Sequence, residues 1–450
     1  MEKTVNQVGP AEYELEIHVP AGELAPEIDK AIRAQRSRTQ LKGFRPGMVP
    51  VQLIRKMYGK ALAYGVAEQK VQDAYEEFMD TSEYDILGRP TITKLEYDLD
   101  QDLDAVIRFG VRPDIELKDL SSEKVTKLVH EVTDEEVEEE IQRRLRREAD
   151  LVPSEEPVGK DDYVTVDIQR LDDATGTPVI GEREEDVAFF MDDTNLKDEL
   201  RDAILGKQTG DTFRVDITHE GGHHDEPGHE HVHTHPYEVT IKETKRRELP
   251  ELDEEFIKRI TDDAASDEAG LREEIRKQLQ NSWKQYSEDF LNESIVERML
   301  ELHPVPVPES VIDVYLDSFV EDVKRRNRGN LPAGFDEQAF RNANREEAEK
   351  QARWMLIRDK VIKEEGLEIT DEDMEAYFNK LGQGEEMSPD TLRQLYASMP
   401  GLVDQLKQRM LSERVFSALE KRFEVVEKNR EELEREIEER NASAPSKIIT

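Results

Sequence analysis

The chain has 450 residues, with 63 Lys and Arg against 104 Asp and Glu, a net charge of -41, and no cysteine. The length suggests about three domains, and the acidity argues against broad nucleic-acid binding. The lack of cysteine excludes disulfides, thiolate catalysis and cysteine-based zinc sites. Neither an apolar signal segment nor a run of about 18 apolar residues occurs, so we expect a cytoplasmic protein with no membrane partner.

The first 113 residues predict an α+β domain. Apolar residues alternate with polar ones around Leu15 and Ile17, which is typical of a half-buried strand. A loop with two prolines and two glycines between Gly43 and Pro50 separates two stretches that predict helices. The predicted elements are a strand at 11–20, helices at 21–38 and 51–79, and strands near 90–99 and 104–112.

Local signals divide the rest of the chain. Thr133 with Glu136, and Thr370 with Asp373, are spaced as helix N-terminal capping pairs, while Gly366 is placed to end a helix. The predicted domains are 1–113, a linker arm at 114–150 that belongs with the C-terminal body, a β-rich insert at 151–246, a helical body at 247–435 and a disordered tail at 436–450. The predicted fold class is therefore multidomain α+β, with an all-helical C-terminal body.

One stretch of this acidic chain is free of acidic residues. Residues 31–60 contain eight basic residues and no Asp or Glu, where the average composition predicts about seven acids. The basic residues are Arg33, Arg36, Arg38, Lys42, Arg45, Arg55, Lys56 and Lys60. A turn needs no such exclusion of acids, so the stretch indicates a surface that meets an anionic partner.

Within this stretch, "GFRPGMVP" places Phe44 and Arg45 at a turn flanked by glycines. An aromatic ring beside a guanidinium can stack on exposed bases and contact phosphate. Arg36, Arg38 and Lys42 would add sequence-independent attraction to a nucleic-acid backbone. The alternative is an ordinary turn between two helices, whose Phe packs on its own domain.

The same loop resembles the signature loop of bacterial trigger factor, a chaperone that docks beside the ribosomal exit tunnel. Gly43, Phe44, Arg45, Gly47 and Pro50 match the family pattern Gly-Phe-Arg-x-Gly-x-x-Pro. Two distant stretches, "RRELPELDEEFIKRI" and "VPVPESVID", are similar to the junction and to a helix start in the family's chaperone body. The order of predicted elements agrees along nearly the whole chain.

The resemblance implies an ATP-independent, ribosome-associated chaperone that holds nascent chains and assists folding, export and cell division. Its partners would be an exit-tunnel protein with ribosomal RNA, and nascent or unfolded polypeptides, with a homodimer as an option off the ribosome. The implied ribosome contact is the loop, supported by Arg36, Arg38 and Lys42. Pro46 stands where the family often has Lys, so one basic contact is missing. No cofactor is implied.

For the β-rich insert, the resemblance implies an FKBP-type peptidyl-prolyl isomerase domain, which needs only an apolar pocket that favours the twisted amide. The family's pocket stretch is replaced here by "NLKDELRDAILG". Candidate remnants of the pocket are Tyr163, Phe189, Phe190, Leu200, Ile204 and Tyr237. The alternative is that these residues fill a small β core. A second functional hypothesis is an isomerase whose helical arms only recruit substrate.

Seven of the ten histidines lie between His219 and His235. The candidate metal ligands are His223, His224, His229, His231, His233 and His235. The last four alternate, so they would share one face of an extended strand and could bind nickel, zinc or copper adventitiously. The alternative is a solvated surface loop.

The helical body combines a packing stripe with candidates for client contact. Most of its apolar residues are expected in a core, whereas a chaperone also leaves some exposed. The candidates for client contact are Trp283, Tyr286, Phe319, Trp354, Met355 and Met387. A third hypothesis, a coiled-coil scaffold, is disfavoured by the break at "HPVPVP" and by the absence of sustained heptads.

Overall fold

The computed structural model describes residues 1–45, 47–220, 232–381, 388–399 and 401–443. They form two compact units. The first unit joins Met1–Val129 to the chain from Ser287 onward, and the second is His130–Tyr286. The first unit is therefore discontinuous in sequence.

The elements of the described ranges confirm the predicted order of mixed, β-rich and helical segments. The strands are β1 (Glu2–Gly9), β2 (Glu12–Val19), β3 (Ile86–Glu96), β4 (Leu103–Val111), β5 (Lys124–Leu128), β6 (Asp150–Pro153), β7 (Tyr163–Leu171), β8 (Pro178–Phe190), β9 (Thr212–Glu220), β10 (Val232–Glu248) and β11 (Glu424–Lys428). The helices are α1 (Ala21–Arg38), α2 (Val51–Thr81), α3 (Asp134–Arg147), α4 (Asp198–Ile204), α5 (Glu254–Ile260), α6 (Glu268–Leu302), α7 (Glu309–Arg326), α8 (Glu337–Glu365), α9 (Asp371–Leu381), α10 (Pro389–Ser398), α11 (Leu402–Glu420) and α12 (Arg430–Ser443).

Residues 1–113, called the head below, form an antiparallel sheet in the order β1-β2-β4-β3. Alternate residues of β2 and β4, such as Leu15 and Ile107, share one face and pack against α1 and α2. Helix α1 contributes Leu24, Ile28 and Ile32 at helical spacing. This layer of two helices on a sheet holds both ends of the loop that joins α1 to α2.

Strand β1 was missed by the sequence analysis. Its sequence, "EKTVNQVG", contains only two apolar residues and no clear alternation. The strand lies at the edge of the sheet and pairs antiparallel with β2 from Glu2 opposite His18. Pairing with a neighbour, rather than burial of its own side chains, therefore makes this segment a strand.

The head docks on the start of α7, which belongs to the helical body (residues from Ser287 onward). A Cβ on Gly110 would lie 2.3 Å from Pro308 Cβ, and one on Gly88 would lie 2.4 Å from the Ser310 carbonyl oxygen. Ser310 Oγ donates to the Leu87 carbonyl oxygen at 2.8 Å. Strands β3 and β4 thus approach α7 more closely than any side chain larger than hydrogen permits.

Polar contacts reinforce this docking. The Glu309 backbone N–H, in the first turn of α7, donates to Glu12 Oε1 of β2 at 2.5 Å. A carboxylate at this position also complements the positive end of the helix dipole. From the end of β4, Arg112 Nη1 contacts Asp359 Oδ2 of α8 at 3.1 Å. The head and the body are therefore joined at two helices.

The core of the body draws residues from both ends of the chain. Ile115 and Val125, which follow the head, lie in one buried cluster with Ile295 of α6, Leu356 of α8 and Val415 of α11. Strand β5 pairs parallel with β11, from Lys124 opposite Glu424. Sequence analysis did not predict this pairing, because neither short strand shows a strand period in isolation.

The predicted helix ends are confirmed. Thr133 accepts from the Glu136 backbone N–H, and the Glu136 side chain accepts from the Thr133 backbone N–H, which completes a capping box. The Thr370 backbone N–H donates to Asp373 Oδ2 at 2.8 Å in the same way. Gly366 ends α8 in the left-handed conformation, with φ +61°.

In the second unit, β6, β10, β7 and β8 form a sheet in that order, and β9 also pairs with β10. Helix α4 places Leu200 and Ile204 in a core with Val164, Val166 and Val239 of this sheet. Helix α3 packs separately, because its Ile141 lies in a cluster with residues of α5 and of the first turns of α6.

The predicted fold class, multidomain α+β with a β-rich insert and a helical C-terminal body, is confirmed. The domain bounds at 1–113, 114–150, 151–246, 247–435 and 436–450 remain predictions. Helix α12 extends to Ser443, into the segment predicted to be a disordered tail. Within the described ranges, none of the helices combines the length and apolarity needed to cross a bilayer.

The close approach of β4 to α7 predicts a strong effect of one methyl group. Replacing Gly110 by Ala should lower the free energy of unfolding of the first unit by about 1–3 kcal/mol, because the Pro308 ring must move. Gly65→Ala is the matched control, since Gly65 lies within α2 with no heavy atom within 4 Å of the new Cβ. It should stabilise the helix by up to about 1 kcal/mol. Thermal unfolding followed by circular dichroism measures both changes, and an unaltered melting temperature for Gly110→Ala would contradict this account of the docking.

Candidate functional site

The candidate site is the loop between α1 and α2. Helix α1 ends at Arg38, and the hydroxyl of the next residue, Thr39, donates to the Gln35 carbonyl oxygen at 2.8 Å. Gly43 and Gly47 have φ of +97° and +77°, and no heavy atom lies within 4 Å of a Cβ added to either. The left-handed backbone conformation, rather than crowding, therefore favours glycine at both positions.

Contacts at both ends of the loop anchor it to the head. Val49 is fully buried in the head core, and Arg36 Nε donates to the Val49 carbonyl oxygen at 2.8 Å. At the other end of the loop, Leu41 packs against the same core. Between these anchors, Phe44 is 42% exposed and Arg45 is exposed. The Phe44 side chain is therefore partly available to a partner.

The eight basic residues of the acid-free stretch fall into three groups. Arg55 contacts Asp29 and Asp100, and Lys60 contacts Asp98 at 3.2 Å, so both are neutralised from outside the stretch. Arg36 holds the loop backbone. The remaining residues, which make no ion pair or side-chain hydrogen bond within the part of the chain that the structure describes, are Arg33, Arg38, Lys42, Arg45 and Lys56.

Arg36, Arg38 and Lys42 were predicted together as supporting ribosome contacts, but the structure gives them different surroundings. Arg38 and Lys42 are exposed and free to meet a partner, whereas Arg36 is half-buried and bound to the loop. Pro46, also predicted as part of the contact, lies outside the described residues. The ribosome contact itself stays a prediction for all of these residues.

Sequence analysis missed two further exposed residues at this site. Met48 is 65% exposed and Val51 is 39% exposed, so Phe44 is not the only apolar side chain offered near the loop. A signal was present in the sequence for Met48, which lies in the loop outside any helix or strand period, whereas Val51 begins α2 three residues before the buried Ile54. The loop therefore offers apolar contacts as well as positive charge.

The six candidate residues of the isomerase pocket lie on two faces of the insert sheet. Leu200 and Ile204 are buried in the insert core, and Phe189 and Tyr237 pack against it. Burial raises the pKa of the Tyr237 hydroxyl. On adjacent strands, Tyr163 stands opposite Phe190 and alternates with the core-facing Val164, so this pair lies on the other face.

The second face of the insert sheet is occupied by the protein's own side chains. The rings of Tyr163 and Phe190 meet edge to face, with centroids 4.8 Å apart. The Arg247 guanidinium lies 3.9 Å from the Phe190 ring centroid and binds both Asp192 oxygens, at 2.6 and 3.1 Å. An aromatic pair covered by a paired arginine is a packed cluster, and the six candidates do not line one cavity.

Most of the candidate metal ligands cannot be placed. His223, His224, His229 and His231 lie outside the described residues, and only the backbone of His233 is described. His235 Nδ1 lies 3.2 Å from Asp173 Oδ1. Within the described ranges no group of three or more His, Asp or Glu side chains is arranged to hold a metal ion. Metal binding by the histidine cluster remains a prediction.

The described candidates for client contact are mostly half-buried. Tyr286, at the boundary of the second unit, is 53% exposed. Trp354 and Met355 pack against the body core, and the Trp354 ring stacks on Phe416 with centroids 5.7 Å apart. Met387 lies outside the described residues. A cleft of about 640 Å³ between α6 and α8 reaches Trp354, with Glu293, Glu297 and Glu301 along its α6 side.

The discontinuous first unit, the β-rich insert and the exposed loop define a multidomain α+β protein whose candidate site is a surface loop rather than an enclosed cleft. Family models of the bacterial trigger factor protein match residues 1–144, and of the trigger factor C-terminus residues 269–421. The chain belongs to the bacterial trigger factor family of chaperones.

Two individual relatives agree with this assignment. The chain is 46% identical to the trigger factor of Salinibacter ruber over 96% of each chain. It is 33% identical to that of Chlorobaculum tepidum, over 94% of this chain and 97% of the relative. Among solved structures, one from a study of promiscuous substrate recognition by the trigger factor chaperone aligns with 93% of this chain and 99% of its own, at 21% identity and a TM-score of 0.46.

The hydrogen bond from Arg36 to Val49 predicts different roles for two neighbouring arginines. Arg36→Ala should speed amide hydrogen exchange in residues 41–50 by about tenfold, because the loop loses one of its anchors. Arg38→Ala should leave exchange unchanged, since Arg38 makes no such bond. Exchange read by mass spectrometry on both variants makes the comparison. Equal exchange in the two would mean that the bond does not hold the loop.

Proposed function

We propose that this protein is an ATP-independent, ribosome-associated chaperone that docks through the α1–α2 loop and holds nascent chains near the exit tunnel. The observation that carries the proposal is the loop itself. Phe44 and Arg45 are exposed at its tip, while Val49 and the Arg36 bond hold its base against the head. A displayed aromatic and cation on a rigid base suit docking, because little side-chain and backbone freedom is lost on binding.

The chemistry of the loop fits a mixed surface of protein and RNA. Arg38, Lys42 and Arg45 are unpaired cations that can contact phosphate, and Phe44 and Met48 are apolar groups for a protein surface or an exposed base. The net charge of -41 keeps the rest of the protein from binding RNA indiscriminately. The loop would therefore both attract the RNA and determine where on the protein the RNA binds.

Clients would be held by the body. The cleft beside Trp354 combines an aromatic wall with glutamates on α6 and the cations Lys350 and Arg353 on α8. Such a surface offers weak apolar contacts within a charged rim, which suits unfolded polypeptides of varied sequence. No Gly-rich phosphate loop is present in the sequence, so release would follow client folding or competition. A cytoplasmic location, an optional homodimer off the ribosome, and assistance in export and cell division complete the proposal.

Ribosome docking is tested by removing the two side chains at the tip of the loop. Phe44→Ala/Arg45→Ala should lower the affinity for purified ribosomes at least tenfold, because an aromatic contact and a charge-assisted contact are lost together. Co-sedimentation of the full chain across a salt series measures the affinity, and binding by the unaltered protein should weaken as salt rises.

The matched control is Ile92→Ala/Lys94→Ala on β3. It removes an exposed apolar residue and an exposed cation from the same head, where Ile92 is 50% exposed. This variant should bind ribosomes like the unaltered protein. Undiminished binding by the loop variant, or an equal loss in the control, would count against docking through the loop.

We propose further that the insert contributes little prolyl isomerase activity. The support is that four of the six candidate residues pack in or against the insert core, while Tyr163 and Phe190 lie on the opposite face beneath Arg247. A pocket that favours the twisted amide needs its apolar walls to converge. The histidine-rich segment at 221–231 lies outside the described residues and is not part of this reasoning.

The isomerase proposal is tested with the full chain and a short proline peptide. We expect cis-trans relaxation close to the uncatalysed time of tens to hundreds of seconds, and no further change in Tyr237→Phe or Phe190→Ala. The hydroxyl of Tyr237 can be removed without a cavity, so Tyr237→Phe should still fold. Strong acceleration that falls in either variant would establish the alternative, an isomerase whose helical arms recruit substrate.

A further inference from the structure

A second acid-free stretch lies at the turn between α7 and α8. Residues 323–335, "VKRRNRGNLPAGF", contain four basic residues and no acidic one, where the average composition predicts about three acids. The basic residues are Lys324, Arg325, Arg326 and Arg328. All of this turn is described, and residues 325–330 are exposed. It lies in the first unit, far along the chain from the head loop.

The acidic residues that flank the turn are already engaged. Glu321 contacts Lys324 Nζ at 2.7 Å, and Asp322 contacts Arg325. On the α8 side, Asp336 caps the helix by accepting from the Ala339 backbone N–H at 3.0 Å. Glu337 contacts Arg341 at 3.0 Å.

Two arginines remain without a partner. Within the described ranges, Arg326 and Arg328 make no ion pair, side-chain hydrogen bond or ring contact. Two guanidinium groups two residues apart thus stay uncompensated in a chain of net charge -41.

Helix stability explains part of this charge but not all of it. Lys324, Arg325 and Arg326 lie in the last turn of α7, where cations complement the helix dipole. Arg328 lies beyond the helix at φ +55°, in a left-handed conformation that favours Gly or Asn over a long side chain. An arginine at that position costs stability, and we attribute its presence to its charge or to its fork of donors.

The turn is ordered by its own backbone. The Gly329 N–H donates to the Lys324 carbonyl oxygen at 2.7 Å, and the Asn330 N–H donates to the Asn327 carbonyl oxygen at 3.2 Å. The Asn327 side chain also donates to the Asn330 carbonyl oxygen at 3.1 Å. Gly329 has open space around its Cα, since no heavy atom lies within 4 Å of an added Cβ. A bulky partner can therefore approach the backbone beside Arg328.

We propose that this turn is a second RNA-binding surface, which contacts the phosphate backbone of a structured RNA through Arg326 and Arg328. Arginine, rather than lysine, fits phosphate because its planar fork donates two parallel hydrogen bonds. The surface has no exposed aromatic side chain for reading unstacked bases, so the contact is with the backbone and not with sequence. The inference goes beyond the proposed docking through the head loop and does not require it.

The test uses the full chain carrying Phe44→Ala/Arg45→Ala, so that its outcome is separate from that of head docking. The probe is a fluorescein-labelled RNA duplex of about 20 base pairs, followed by anisotropy across about 50–200 mM KCl. Adding Arg326→Ala/Arg328→Gly should weaken binding about tenfold and reduce the salt slope by about two. Glycine suits the left-handed position of residue 328, so this variant should fold at least as well.

Two matched variants complete the design. Lys380→Ala/Lys421→Ala removes two exposed cations that make no ion pair within the described part of the body, and it should leave RNA binding unchanged. Arg326→Lys/Arg328→Lys keeps the charge but not the fork, so it should retain the salt slope and lose part of the affinity.

The proposal is overturned if the turn variant binds the RNA duplex like its parent, or if the lysine-to-alanine control loses as much affinity. It is also overturned if vesicles of anionic lipid bind the protein more tightly than the RNA does and depend on the same two arginines. In that case, the turn would be a membrane-surface contact.

Discussion

The close contact between the head sheet and the start of α7 is the constraint on which the first unit depends. Gly88 and Gly110 leave no room for a Cβ, so the β3–β4 edge lies against Pro308 and Ser310. Glu12 completes the joint by accepting from the first turn of α7. The chain returns to this point only after passing through the second unit. Because the other face of the sheet carries α1 and α2, the same joint fixes where the loop is presented relative to the body.

The composition of this protein does not show which of its cations are paired with acids and which are free. Many cations on the helices are paired with acids three or four residues away, such as Arg144 with Glu140, and these pairs solubilise the surface without defining a site. Where the sequence excludes acids, some cations stay free. This occurs at the loop between α1 and α2 and again at the turn between α7 and α8. A net charge of -41 opposes the binding of polyanions over the surface as a whole, so local clusters of free cations are where such binding would occur.

In the insert, the alternation of side chains along the strands prevents the predicted pocket residues from lining one cavity. Adjacent residues such as Phe189 and Phe190 point to opposite faces of a strand, so a list of nearby aromatics cannot all line one cavity. The core takes Phe189 with Leu200 and Ile204, and the outer face takes Phe190 with Tyr163. Arg247 then covers the outer pair and is itself held by Asp192.

The sequence by itself determined the features that depend on residues close together in the chain. Alternation predicted β2, the capping pairs predicted helix starts, and the Gly-Phe-Arg loop with its lack of acids located the candidate site. Only the tertiary structure decided what distant partners create. Strand β1 and the β5–β11 pair exist through pairing with a neighbour, and Arg36 became a loop anchor because Val49 folds beneath it. A sequence pattern reflects the structural preferences of residues that are close together in the chain. Whether a cation is free or anchored depends instead on which distant residues folding places next to it.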